Sequence, residues 1–110
     1  MKLIVISCLR EDKEKAMQLM EQCGIAWIYF VDSSDYMAGQ KPALMDGWFA
    51  IDKEFTDSVI LFSLTDATRA TQVIEASEKL NNEKGEECYP LKSFVVPLEN
   101  WTKQMWNNEI

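Results

Sequence analysis

Two lysines stand near glycines in stretches where neither a helical nor a strand period holds. Lys41 lies in Met37 to Gly47, and Lys92 follows the polar stretch Asn81 to Pro90, which contains Lys84 and Gly85. A lysine point charge beside amide groups freed by a glycine turn suits a small anion. A loop lysine is as often simply solvated, and both readings stay open for Lys41 and Lys92. Gln40 gains weight only from its neighbours. The chain contains no histidine, which removes the commonest general base and the commonest metal ligand. Nothing forms a complete catalytic set, and no enzyme is expected. Asp32, Asp35, Asp46, Asp52, Glu54 and Asp57 crowd the middle of the chain without EF-hand spacing and read as a solvated face. Cys8, Cys23 and Cys88 are odd in number and far apart, so they suggest neither a disulfide framework nor a closely spaced zinc pair.

The elements that must position these residues fit within one domain, residues 1–110, whose 47% hydrophobic content supports a single modest core. Eighteen acidic residues against eleven basic ones give a net charge of -7. Most of the surface would therefore repel a nucleic-acid backbone, and no nucleic-acid partner is expected. The apolar start Leu3 to Leu9 is too short to span a bilayer and leads into charged residues without a small-residue cleavage site. A cytoplasmic protein is expected.

One strand-helix unit is used twice. Asp66, Ala70, Gln72 and Glu75 repeat Asp12, Ala16, Gln18 and Glu21, and Arg69 falls on Lys15. Leu3-Ile4-Val5-Ile6 is a continuous apolar run that predicts an inner strand. Asp12 can cap a helix burying Ala16, Leu19, Met20 and Cys23, with Gly24 as its left-handed stop. Ile25 to Val31 has strand composition that continues toward Tyr36. Met37 to Gly47 then reads as a long connection, of a length usually functional or mobile. Gly47 to Ile51 suggests a side hairpin, and Lys53 to Asp57 a polar turn. Val59 to Phe62 is a central strand. Asp66 or Thr65 caps a second helix, with Ala70, Val73, Ile74, Ser77 and Leu80 on one stripe and its end at Gly85. Leu91 to Val96 is the last strand, stopped by Pro97, and residues 98–110 form a tail.

The order strand, helix, strand, strand, helix, strand predicts an α+β ferredoxin-like βαββαβ fold, a four-stranded antiparallel sheet with both helices on one face. The other face must meet something. Trp27, Trp48, Trp101 and Trp106 exceed what so small a domain would leave in water, which favours subunit association.

In element order and spacing the chain resembles the nitrogen-regulatory PII signalling proteins. Gly39-Gln40-Lys41-Pro42 stands where that family carries Gly-Arg-Gln-Lys-Gly, and Lys84-Gly85 with Lys92-Ser93-Phe94-Val95-Val96 is similar to its second phosphate-binding turn and the strand after it. The resemblance implies a homotrimer that binds a small anionic effector between subunits. The effector would be ATP, ADP or AMP with magnesium, or a 2-oxoglutarate-like anion. Gly39, Gln40, Lys41, Gly85 and Lys92 would be the ligand-binding residues: Lys92 would face the phosphates and Gly85 would give the backbone room. It further implies signalling through the long connection to a partner such as a membrane transporter or an enzyme. The chain lacks the Gly-Asp-Gly of the family's second turn and has Lys103 where an arginine pair stands, so it is similar to the family as a divergent relative.

Cys88-Tyr89-Pro90 through Phe94 to Leu98, followed by Trp101, also looks like the last strand of the CutA-type ion-tolerance proteins, which share the trimeric fold. That resemblance implies copper binding, with the cysteines and six methionines as soft ligands. Cys8, at the end of an inner strand, and Cys88, in the second turn, would approach the inter-subunit cleft as the metal pair, while Cys23 packs in the core.

Overall fold

The computed structural model describes residues 1–36, 55–85 and 88–103. Strand β1 (Lys2–Leu9) leads through a 3-10 turn (Arg10–Asp12) into helix α1 (Lys13–Gln22), then strands β2 (Tyr29–Tyr36) and β3 (Phe55–Thr65), helix α2 (Ala67–Lys84) and strand β4 (Lys92–Pro97). The sheet order is β2-β3-β1-β4 with every neighbouring pair antiparallel. This is the expected ferredoxin-like arrangement, with β1 an inner strand.

Register decides which residues meet the helices. Ile4 pairs with Ser63, Ile6 with Leu61 and Cys8 with Val59, and alternate residues of a strand share a face. Ile4, Ile6, Cys8, Val59 and Leu61 are fully buried against Ala16, Leu19 and Met20 of α1 and Val73 of α2. Ile74 and Leu80 pack at the edge of this core. The polar edge is satisfied locally: Ser77 Oγ donates to the Val73 carbonyl at 2.8 Å, and Ser93 Oγ of β4 donates to Ser77 Oγ at 2.7 Å.

The start of α2 and the stop of α1 are as the sequence requires. Asp66 Oδ1 accepts the Arg69 amide at 2.7 Å, capping α2. After α1 the Gly24 amide reaches the Glu21 carbonyl and the Ile25 amide the Met20 carbonyl, a Schellman closure with Gly24 at φ +87. A Cβ on Gly24 would also stand 3.0 Å from Arg69 Nε.

Three expectations shift. Ile25 to Ile28 lies outside any strand, because the Ile25 amide is used in the helix stop and the Trp27 carbonyl accepts from Ser63 Oγ, so the ladder starts at Tyr29. Phe55 to Asp57 is strand rather than turn, since its backbone pairs with Ser34 to Tyr36. Asp12 occupies the N-cap position of α1 but makes no side-chain cap bond; its carboxylate accepts from Lys84 Nζ at 2.6 Å instead. A charge-assisted bond to an ammonium outweighs a bond to a neutral amide. The side hairpin at Gly47 to Ile51 lies outside the described residues, as do Trp48 and Trp106.

The helix-free face carries the row Tyr29, Phe62, Val5, Phe94 across all four strands. Tyr29 and Phe62 stack with centroids 5.2 Å apart, and Phe94 is 50% exposed. Among the described residues no helix is long and apolar enough to cross a membrane.

Leu61 is fully buried in the core cluster. Leu61→Ala is expected to lower unfolding free energy by about 2–5 kcal/mol, measured by urea denaturation at fixed protein concentration.

Candidate functional site

The connection from α2 to β4 carries two of the residues singled out by chemistry. Gly85 closes the helix at φ 89 and ψ 168, its amide bonded to the Asn81 carbonyl at 3.2 Å and its carbonyl accepting from the Cys88 amide at 3.4 Å. That backbone region is essentially glycine's alone. Nothing lies within 4 Å of a Cβ placed there, so within the chain itself the backbone angle is what calls for glycine.

Lys92 is exposed at the start of β4, paired with Ser7 on the helix-free face, and its Nζ lies 4.8 Å from the Tyr89 ring centroid. An ammonium over a ring face is weakly attracted and keeps donors for another acceptor. Gly85 and Lys92 thus flank one turn. Gly39, Gln40 and Lys41 lie outside the described residues.

Residues that periodicity did not single out hold this turn. Asn81 of α2 grips Leu91 from both sides, Nδ2 donating to its carbonyl at 2.9 Å and Oδ1 accepting its amide at 2.7 Å. Lys84 Nζ donates to the Tyr89 carbonyl at 2.7 Å as well as to Asp12. The Asp12–Lys84 pair is nearly buried, with side chains 9% and 12% exposed. Its members are 72 residues apart, so no local spacing announces them.

Cys8 faces the helix layer, fully buried, rather than a surface cleft. Burial pushes its thiol up to about 11, the Asp12 charge adds to the rise, and the Lys84 charge opposes it. A thiol held protonated is a poor soft ligand. Cys23 is half-buried, its thiol also raised by burial, while Cys88 is exposed. No three His, Cys, Asp or Glu side chains gather to hold a metal ion among the described residues.

Arg10 joins two of the clustered carboxylates, donating to Asp32 at 2.9 Å and to Asp57 at 3.1 Å. These hydrogen bonds raise its pKa further. Among the described residues, two of the surface cavities stand away from the α2–β4 turn. One, of about 360 Å³, lies between the helices and includes Lys15, Leu19, Lys79 and Leu80. The other, of about 180 Å³, is bounded by Gly24, Ile25, Ala26, Trp27, Leu64, Thr65 and Arg69. Neither is lined by Gly85 or Lys92.

No family model and no curated protein matches the sequence. The three-dimensional arrangement is similar to that of solved structures. A PII-like signalling protein of Thermus thermophilus superposes with a TM-score of 0.60 at 12% identity, covering 86% of this chain and 83% of its own. The fold is that of the PII-like proteins. CPII, a nitrogen regulatory PII-like protein of Thiomonas intermedia bound to ADP, AMP and bicarbonate, superposes with a TM-score of 0.58 at 14% identity, covering 86% of each chain. The same protein bound to ADP and bicarbonate gives 0.59 at 16% identity, covering 86% of this chain and 82% of its own.

The raised Cys8 pKa carries a sign. Between about pH 9, where the unfolded thiol ionises, and about pH 11, the folded state binds more protons than the unfolded one, so stability falls as pH rises. The expected loss is at most about 1.4 kcal/mol per pH unit, and Cys8→Ala should flatten that slope in denaturation midpoints measured from pH 8 to 11.

Proposed function

We propose that this chain is a PII-like regulatory protein and not an enzyme. It assembles as a homotrimer through the helix-free sheet face and binds a small anionic effector in the cleft between subunits. The effector class is an adenine nucleotide, ADP or AMP, with bicarbonate as a second small anion. Lys92 and the turn opened by Gly85 supply one wall of the site, and Gly39, Gln40 and Lys41 supply the other. The occupied site acts through the connection at Met37 to Gly47 on a protein partner, a membrane transporter or an enzyme, in the cytoplasm.

The observation that carries this reading is the likeness, over 86% of the chain, to CPII bound to ADP, AMP and bicarbonate. Three features of this chain support it. The row Tyr29, Phe62, Val5, Phe94 offers an apolar surface suited to a second copy. The lysine and the special glycine flank a single turn. The exposed Lys92 ammonium, in a protein of net charge -7, is a local cationic point that suits an anion. No corresponding observation favours copper or magnesium.

The test is a thermal-shift titration with ADP and AMP, with and without bicarbonate, alongside light scattering. A ligand at a hundred times its Kd adds about 2.7 kcal/mol of stability, read as an upward shift in Tm. Lys92→Ala and Lys41→Ala should each reduce that shift, and the scattering mass should be three times that of the chain. A monomeric mass, or a Tm indifferent to both nucleotides, would overturn the proposal.

A further inference from the structure

The nearly buried Lys84 ammonium is positioned unlike the other cations of the ion pairs. Arg10 and Arg69 pair with carboxylates at half-exposed positions, where such pairs add little. Lys84 has given up most of its hydration, and in exchange it holds one carboxylate and one backbone carbonyl, Asp12 Oδ2 at 2.6 Å and Tyr89 O at 2.7 Å. A desolvated ammonium keeps such a place only while both acceptors stay with it. Its charge is spent inside the fold, and what it fixes is a stretch of backbone.

We propose that Lys84, seated on Asp12, is a positioning residue that sets where the α2–β4 turn presents Tyr89 and Lys92. This rests on the effector reading above for its functional meaning, though not for its geometry. Lys84 and Asn81 are three residues apart on α2, hence on one face, and they grip the turn at successive points, Tyr89 and Leu91. Lys92 follows Leu91 directly, and its ammonium stands over the Tyr89 ring. Releasing the Tyr89 carbonyl therefore displaces the surface on which Lys92 rests, while Asn81 still anchors the start of β4. Asp12 contributes by holding the donor in place, which accounts for its carboxylate being withdrawn from the helix cap.

Lys84→Ala alone would strand a buried carboxylate and endanger the fold, so the test uses Asp12→Asn/Lys84→Met, which leaves no unpaired charge and removes the donor to Tyr89. Asp12→Glu alone is the conservative control, since it keeps a carboxylate to pair with Lys84 and leaves the donor to Tyr89 in place. Amide hydrogen exchange at Cys88 and Tyr89 should accelerate in the double variant and stay near wild type in Asp12→Glu, with exchange at Leu91, which Asn81 holds, and in the core strands unchanged in both. The Kd for ADP, by calorimetry, should weaken at least about tenfold in the double variant, the scale on which supporting residues act, and recover in the control. Unchanged exchange in the turn overturns the proposal, as does faster exchange with ADP affinity preserved. If wild-type protein binds neither ADP nor bicarbonate, the effector reading falls, and the exchange comparison still decides whether Lys84 positions the turn.

Discussion

The pairing of β1 with β3 and β4 is the constraint on which everything else in the molecule depends. Because strand side chains alternate, one register places Ile4, Ile6, Cys8, Val59 and Leu61 beneath the helices and sends Val5, Phe62 and Phe94 to the opposite side. A slip of one residue would exchange the two faces. Both helices are used up in covering the first face. The second is left with an aromatic and aliphatic row and no layer of its own in the described chain, so the same register that builds the core also creates the surface to which association is assigned.

On this scaffold polar groups fall into two kinds. Some are exposed pairs at strand ends and helix starts, such as Arg69 with Asp66 and Arg10 with Asp32 and Asp57. Others are drawn into the protein, as with Asp12, Lys84, Ser77 and Ser93. Ser58, Ser63 and Thr65 are buried along β3 as well, while Asp12 and Lys84 meet where α2 hands the chain to β4, beside the turn that carries Gly85 and Lys92. Among the described residues, Asn81 makes two side-chain contacts to the backbone of this turn and Lys84 one; such a turn is preorganised, and preorganisation lowers what a ligand must spend on ordering its site.

Much of the fold was legible from the sequence because its signals are local. The apolar run at Leu3 to Ile6, the stripe Ala70, Val73, Ile74, Ser77 and Leu80, the cap at Asp66 and the stop at Gly24 each report on neighbours a few residues away. The misreadings arose where a distant partner intervened. Ser63 takes the Trp27 carbonyl and delays β2; Lys84 takes the Asp12 carboxylate from the helix it precedes. The candidate site was legible only in part for the same reason. Lys92 and Gly85 stand out by residue type beside a turn, whereas Asn81 and Lys84 look like ordinary polar residues near a helix end. The Cys8 and Cys88 pairing misjudged a face: the pleat turns Cys8 inward with Ile4 and Ile6.

The 3-10 turn Arg10–Asp12 has a consequence of its own. Its two outer residues carry opposite charges and reach different places: Arg10 clasps β2 and β3 through Asp32 and Asp57, on either side of residues 37–54, while Asp12 clasps the end of α2. One clasp is washed by solvent and the other is nearly dry. At physiological ionic strength mobile ions screen exposed charges over about 8 Å, so rising salt loosens the grip of Arg10 and leaves that of Asp12 almost untouched. A single three-residue corner thereby gives the β2–β3 pair and the end of α2 unequal sensitivity to ionic strength.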